Sequence, residues 1–189
     1  TALEIGEGQQ YDIEFETRND VSEEEYIEMI RLKTSVLLAC ALKIGAILGE
    51  ASDADAEKLY SFGENLGLAF QLQDDYLDVY GDPAVFGKKI GGDILCNKKT
   101  YMLITALKKA DAVQREELER WLTASDYHAA EKIEAVTRIY NEIGVDKCCG
   151  WIVEDYYNQG LGILERLSVS AERKEVLKSF VCSLMGRKV

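Results

Sequence analysis

Apolar residues recur every three or four positions along almost the whole chain, and no stretch alternates apolar and polar residues for long enough to predict a strand. We therefore predict an all-α fold, a helical bundle. Pro83 is the single proline, which favours long helices because proline breaks a helix interior. The predicted helices cover approximately residues 1–17, 22–48, 53–80, 98–109, 112–123, 126–143, 146–166 and 171–186.

Residues that cap helices mark several of these boundaries. Ser22 and Glu25 have the spacing of a capping box at the start of the second helix. Gly49 closes that helix, and Gly144 stands where a glycine commonly ends one. The chain contains no repeat and no interdomain linker, and 189 residues suffice for one domain with a core. We predict a single domain over 1–189.

One face of the third predicted helix carries polar residues where a buried helix normally carries apolar ones. Gln71, Asp74, Asp75 and Asp78 follow the i, i+3, i+4, i+7 spacing, and apolar residues occupy the remaining surface. Carboxylates on a largely buried helix repel one another and lose hydration, and a hard divalent cation is the usual compensation. The face therefore predicts bound Mg²⁺, and the alternative is a solvated acidic surface.

A segment rich in glycine and lysine follows this helix. Lys88 and Lys89 are flanked by glycines, and Lys98 and Lys99 come shortly afterwards. Glycines allow a backbone to approach a phosphate, and lysines supply charge to its oxygens. The alternative is a solvated turn with incidental lysines. Directly after a carboxylate cluster, the segment favours a site where acids hold Mg²⁺, Mg²⁺ holds a diphosphate and lysines neutralise the remaining charge.

Two further polar groups interrupt apolar helices. Lys33 and Thr34 lie in the second predicted helix, and Gln9 and Asp12 follow a glycine in the first. A lysine that reaches solvent, or a glycine that packs two helices, explains each group more simply when taken alone. His128 lies among polar residues and is predicted at the surface. Because it is the single histidine, a di-iron bundle with two Glu-x-x-His pairs is excluded.

Charge, cysteines and apolar runs limit the possible partners and compartments. The net charge of −12 argues against nucleic acid or an anionic membrane as a general partner. The five cysteines are odd in number and have no Cys-x-x-Cys spacing, which predicts buried free thiols in a reducing cytoplasm. The longest apolar run, residues 36–42, is too short for a transmembrane segment. The chain begins at Thr1 inside a helical pattern, and we expect a fragment of a longer protein.

Taken in chain order, these groups resemble the motifs of the trans-isoprenyl diphosphate synthases. This is the polyprenyl synthetase family, which includes farnesyl and geranylgeranyl diphosphate synthases. The resemblance lies within residues 5–105, and the string from Phe70 to Asp78 with the segment after it is highly specific. The matching groups are Gly8-Gln9 with Asp12, Lys33-Thr34, residues 70–78, residues 81–83, Gly87-Lys88, residues 91–93 and residues 98–101.

The resemblance implies the isoprenoid synthase type of helical bundle and a Mg²⁺ site. Asp74 and Asp78 would bind Mg²⁺ that bridges to an allylic diphosphate, and Asp93 would orient the metal-bound waters. Asp75 completes the family's second aspartate-rich motif. The implied catalytic residues are Asp74, Asp75, Asp78, Lys33 and Lys88.

The resemblance also implies which residues meet the substrates. The contacts to the allylic diphosphate would come from Lys33, Thr34, Gln71, Lys88 and Lys98. Gln9 and Asp12 would shape the cavity near the reacting carbons. In the implied reaction the allylic diphosphate ionises, the alkene of isopentenyl diphosphate attacks the cation, and a proton is lost. The resemblance also implies that the full-length protein is a homodimer.

Part of the family pattern is absent from this sequence. The first aspartate-rich motif and the basic residues that bind isopentenyl diphosphate would precede Thr1. The chain is therefore expected to be the C-terminal portion of a synthase, with little or no turnover by itself. The length of the product depends on residues near the first motif, and this sequence does not predict it.

Three alternatives remain open at this point. A class I terpene cyclase shares the helical bundle and an aspartate motif, but it usually carries a different second motif. A non-catalytic subunit that regulates a partner synthase tends to lose its aspartates, whereas this chain keeps all three. The third alternative is an acidic helical bundle with no site, which would not respond to Mg²⁺ and pyrophosphate.

Overall fold

The computed structural model describes residues 1–82 and 90–186. The predicted all-α fold is confirmed, because these residues form helices and contain no strand. The helices are α1 (Ala2–Phe15), α2 (Glu23–Ile30), a π-helical segment (Arg31–Ser35), α3 (Val36–Leu48), α4 (Asp53–Tyr80), α5 (Gly92–Leu95), α6 (Tyr101–Lys109), α7 (Ala112–Thr123), α8 (Ala129–Ile143), α9 (Val145–Glu165) and α10 (Ala171–Met185).

Local capping signals predicted several boundaries correctly. The Ser22 side chain accepts a hydrogen bond from the Glu25 N–H, and the Glu25 carboxylate accepts one from the Ser22 N–H, which completes the capping box. Gly144 ends α8 with a φ of +79°, a left-handed conformation that favours glycine. Pro83, Lys88 and Lys89 lie outside the described residues.

The structure differs from the predicted helices in two places. The helix predicted over 22–48 is interrupted by the π-helical segment Arg31–Ser35. The segment predicted as a loop contains the short helix α5, and α6 begins at Tyr101 because the Thr100 hydroxyl caps its first turn. Lys98 and Lys99 therefore precede α6 instead of opening it.

The π-helical segment lies where two neighbouring helices approach its backbone closely. A Cβ on Gly8 of α1 would lie 2.4 Å from the Lys33 nitrogen, and a Cβ on Gly67 of α4 would lie 2.6 Å from the Ser35 Cα. Both positions therefore require glycine. π-Helical segments are frequent at functional sites, and this one presents Lys33 and Thr34.

Helix α4 is the centre of the bundle and packs mainly against α3 and α9. Its C-terminal half joins the larger core cluster through Leu68, Leu72 and Val79, together with residues of α2 and α6–α9. Its N-terminal half joins a smaller cluster with α9 and α10 through Phe62 and Leu66. Since both halves are packed, the polar face of α4 is held rigidly.

The fold also bears on the predictions for the cysteines, the histidine and membrane spans. All five cysteines are free thiols and His128 is exposed, as predicted. The prediction that the thiols are buried is wrong for Cys96 and Cys182, which are exposed, and only Cys149 is fully buried. Within residues 1–82 and 90–186, no helix has both the length and the apolar character needed to cross a bilayer.

Candidate active site

Helix α4 brings the predicted polar residues to one face, but it buries them to different extents. Asp75 is 1% exposed, whereas Gln71, Asp74 and Asp78 are half-buried. The opposite surface of the helix is apolar and buried, for example at Leu72. The prediction of polar residues on a largely buried helix is therefore confirmed. The four positions are not equivalent, however, because α2 covers the end of the Asp75 side chain.

Asp75 is surrounded by hydrogen-bond donors from three parts of the chain. It accepts hydrogen bonds from the Tyr26 hydroxyl of α2, from Gln71 Nε2 at 3.2 Å and from Lys98 Nζ at 3.2 Å. Burial raises the pKa of Asp75, while Lys98 and the other donors oppose that shift. With these donors in place, Asp75 orients Lys98 and Gln71.

Lys98 lies between two carboxylates. Its Nζ is 3.2 Å from Asp75 Oδ1 and 3.4 Å from Asp93 Oδ2. Burial alone would lower the pKa of Lys98, but Asp75 and Asp93 raise it by more, so the net shift is upward. The side chain is therefore an ammonium ion whose position is fixed from two sides.

The short helix α5 places Asp93 beside Asp78. The Asp93 N–H donates to Asp78 Oδ2 at 2.9 Å, and the Gly91 N–H donates to the Asp78 backbone carbonyl at 2.6 Å. Gly91 has a φ of +83°, and a Cβ there would lie 2.6 Å from Ile133. Burial raises the pKa of the Asp93 carboxyl to about 6; Lys98 opposes this shift, whereas Asp75 and Asp78 add to it.

The raised pKa of Asp93 predicts a pH-dependent stability difference between the protein and its Asp93→Asn variant. Between pH 3.8 and about 6 the folded state binds more protons at Asp93 than the unfolded state, so this carboxyl lowers stability as pH rises through that window. Without Mg²⁺, Asp93→Asn is expected to be about 1–3 kcal/mol more stable than the parent at pH 7 and equally stable near pH 4. Urea unfolding at both pH values measures the free energy of unfolding of the two proteins. The expectation is contradicted if the difference between them is the same at pH 4 and at pH 7.

Asp74 differs from its neighbours because its carboxylate accepts no hydrogen bond from any residue in the described ranges. It is half-buried and lies one helical turn before Asp78. No group of three or more acidic, cysteine or histidine side chains in the described part of the chain could hold a metal ion. Mg²⁺ is commonly bound by only one or two carboxylates, with waters and substrate phosphates as the other ligands. Asp74 and Asp78 fit that type of site.

The polar residues of the first helices pair with one another, and one of them, Thr34, meets this face of α4. Lys33 Nζ forms an ion pair with Asp12 Oδ2 at 2.6 Å. The Thr34 hydroxyl donates to Gln71 Oε1 at 3.2 Å. Because Gln71 in turn donates to Asp75, the π-helical segment and α4 share one hydrogen-bond network.

A cavity of about 590 Å³ opens beside this network. Asp12, Asp93 and Lys98 line it, as does Lys99, which is half-buried and donates to the Asn97 carbonyl at 3.4 Å. Gln9 is exposed on α1 and does not line this cavity. Of the described residues predicted for the site, Asp12, Asp93 and Lys98 line the cavity. Hydrogen bonds or ion pairs link Lys33, Asp75 and Asp78 to these three residues, and Gln71 and Thr34 are linked through Asp75. Asp74 shares the polar face of α4 with them, and Lys88 lies outside the described residues. The full lining is Asp12, Phe15, Glu16, Asp93, Cys96, Asn97, Lys98 and Lys99.

The sequence analysis missed two residues of this region. Tyr26 is fully buried and donates to Asp75, but its position in an apolar pattern is that of an ordinary core aromatic residue. Asn97 lines the cavity with a φ of +53°. Asparagine tolerates the left-handed conformation, so its place before Lys98 was a signal for a turn.

Comparisons with known proteins identify the family of this chain. The model of the polyprenyl synthetase family matches residues 1–143. A short-chain isoprenyl diphosphate synthase of Methanothermobacter thermautotrophicus is 40% identical over 175 residues, which is 92% of this chain and 53% of that protein. A geranylgeranyl diphosphate synthase of Methanosarcina mazei is 50% identical over 109 residues, 58% of this chain and 34% of that protein.

Solved structures of prenyl synthases share the fold of this chain. The crystal structure of a geranylgeranyl pyrophosphate synthase has a TM-score of 0.91 and 44% identity, and the match covers 100% of this chain and 58% of that chain. A synthase from Corynebacterium glutamicum, solved with isoprenyl diphosphate and magnesium, has a TM-score of 0.89 and 27% identity over 99% of this chain and 53% of that one. The chain thus spans about half the length of these proteins. With the family model matched over 1–143 and the whole chain sharing the fold, this chain belongs to the polyprenyl synthetase family.

Proposed function

We propose that the protein containing this chain is a short-chain trans-prenyl diphosphate synthase. It joins an allylic diphosphate to isopentenyl diphosphate, and this chain supplies the part of the site that holds the allylic diphosphate. The observation that carries the proposal is the position of Lys98, which is fixed between Asp75 and Asp93 and lines a cavity. Asp74, the residue directly before Asp75 on α4, is a half-buried carboxylate that no described residue neutralises. A carboxylate without a partner, on the same helix face as the carboxylate that orients this lysine, suits a metal–diphosphate complex.

Asp74 and Asp78 are the residues that would hold Mg²⁺. When bound, the metal would draw negative charge from the diphosphate as the carbon–oxygen bond breaks. Asp93 donates its N–H to Asp78 and so fixes the orientation of that carboxylate. We assign Asp93 to the orientation of metal-bound waters, as the resemblance implies.

Lysines would neutralise the rest of the diphosphate charge. Asp75 and Asp93 hold Lys98 in place, and Asp12 holds Lys33, so neither ammonium must be ordered when substrate arrives. Lys88 is assigned the same role and stays a prediction. Thr34 and Gln71 offer polar atoms next to these lysines, and Gln9 is assigned to the edge of the site.

The proposal also covers the assembly. Several apolar side chains of α1 and α3 are exposed, namely Leu3, Ile13, Leu37, Ile44, Ile47 and Leu48. Exposed apolar side chains concentrated on two helices are typical of surface that packs against another protein, and they support the proposed homodimer of the longer synthase. We propose that residues 1–189 form one domain that turns over poorly by itself, because the related synthases are about twice as long. The cytoplasmic location stays a prediction.

Incubating the full-length gene product with dimethylallyl diphosphate, isopentenyl diphosphate and Mg²⁺ tests the proposed function directly. We expect mass spectrometry to detect a prenyl diphosphate, and its mass gives the chain length. A cyclic hydrocarbon product would instead identify a terpene cyclase. Intact substrates would contradict the proposal and favour a regulatory subunit.

A further inference from the structure

Lys132, on the first turns of α8, is buried although none of the roles above uses it. Its side chain is 1% exposed. Among residues 1–82 and 90–186, no carboxylate forms an ion pair with it. A buried ammonium without a carboxylate loses hydration that an apolar side chain of the same length would not lose. The position therefore calls for an explanation other than packing.

Two contacts of the Lys132 ammonium with described residues connect it to the segment that carries Lys98, one directly and one through Tyr127. Its Nζ donates to Asn97 Oδ1 at 2.6 Å. It also lies 4.5 Å from the centroid of the Tyr127 ring, a cation–π contact. Tyr127 in turn donates its hydroxyl to the Leu95 carbonyl at 3.3 Å.

Asn97 is the residue that makes the turn between α5 and Lys98. Its backbone is left-handed, with a φ of +53°. Its Nδ2 donates to the Leu122 carbonyl at 2.9 Å, so both ends of the amide are bonded to other parts of the fold. Lys132 and Leu122 thereby fix the amide of the residue directly before Lys98.

The turn lines two cavities. Asn97 and Lys98 line the large cavity of the candidate site. They also line a second cavity of about 10 Å³, which Lys132 lines as well. The hydrogen bonds of Asn97 to α7 and α8 therefore hold a turn that lines both cavities.

We propose that Lys132 is a positioning residue for the diphosphate site, acting through the Asn97 amide to hold Lys98 at the cavity. This inference rests on the proposed function, since it concerns the affinity of the same site for diphosphate. The role differs from that of Asp75 and Asp93, which contact Lys98 directly. Lys132 acts one residue away, through the conformation of the backbone.

Two substitutions in the full-length protein separate this role from simple packing. Lys132→Met keeps the length of the side chain and removes the ammonium. Asn97→Gly removes the acceptor, and glycine tolerates a positive φ without strain. Lys147→Met, at an exposed position of α9, is the control for the loss of one positive charge. The probe is inorganic pyrophosphate with Mg²⁺, and calorimetry gives its Kd.

We expect Lys132→Met and Asn97→Gly each to weaken pyrophosphate binding by about tenfold or more, and Lys147→Met to leave it unchanged. The double variant should bind no more weakly than Asn97→Gly alone, because Asn97→Gly already removes the acceptor that Lys132 uses. The assignment would be overturned if the losses of pyrophosphate affinity in the two single variants added up in the double variant. It would also be overturned if Lys132→Met lowered the Tm and left the Kd unchanged. If Lys132→Met does not fold, an unchanged Kd in Asn97→Gly overturns it equally. Failure of the unsubstituted protein to bind pyrophosphate would instead overturn the proposed function, and this assignment with it.

Discussion

Replacing Asp74 with asparagine is expected to lower kcat/KM of the full-length protein for the allylic substrate by about a hundredfold to a thousandfold. Asp74 is the carboxylate that no described donor neutralises, so its charge is available to a metal ion. The amide cannot supply that charge to Mg²⁺, although it has the same shape. Steady-state kinetics over a range of Mg²⁺ concentrations measure the effect, and the loss should be partly reversed at high Mg²⁺.

The free energy of unfolding separates this effect from damage to the fold. Since Asp74 accepts no hydrogen bond from a described residue, Asp74→Asn is expected to keep the stability of the parent within about 0.5 kcal/mol, or to raise it by removing repulsion from Asp75 and Asp78. Asp53→Asn makes the same change at an exposed position of α4 and should leave kcat/KM unaltered. If Asp74→Asn and Asp53→Asn had equal kcat/KM, Asp74 would have no role in the active site.

Alanine at Gly8 is expected to lower the free energy of unfolding by about 2–3 kcal/mol. The added Cβ would lie 2.4 Å from the Lys33 nitrogen and 2.8 Å from its Cα. These are backbone atoms of the π-helical segment, so no side-chain rotation can relieve the overlap. Helix α1 or the segment must move, and Lys33 and Thr34 move with it. Activity should therefore fall together with stability.

Gly6→Ala is the matched control, because Gly6 lies two residues away on the same helix and a Cβ there would meet no described atom within 4 Å. There alanine should raise the free energy of unfolding by up to about 1 kcal/mol, the ordinary gain of replacing glycine within a helix. Urea unfolding followed by circular dichroism compares the two variants. If both substitutions changed the free energy of unfolding in the same direction, the close approach of α1 to the π-helical segment would not limit stability.

Features that depend on neighbours in the chain were predictable from the sequence. The capping box of Ser22 and Glu25 and the glycine end of α8 at Gly144 involve residues within one turn of each other. The shared face of Gln71, Asp74, Asp75 and Asp78 follows from helical geometry once α4 is predicted. The family resemblance rested on the same local strings, and the comparisons confirmed it.

Only the tertiary structure decided what each of these residues does, because their partners come from distant parts of the chain. Asp75 differs from Asp74 because Tyr26, 49 positions earlier, covers it and donates to it. Lys132 meets Asn97 across 35 positions, and no periodicity links the two. The π-helical segment likewise depends on the approach of α1 and α4. The sequence by itself determined the helices and the chemistry on their faces, while packing between helices determined which charges are paired and which are left for a ligand.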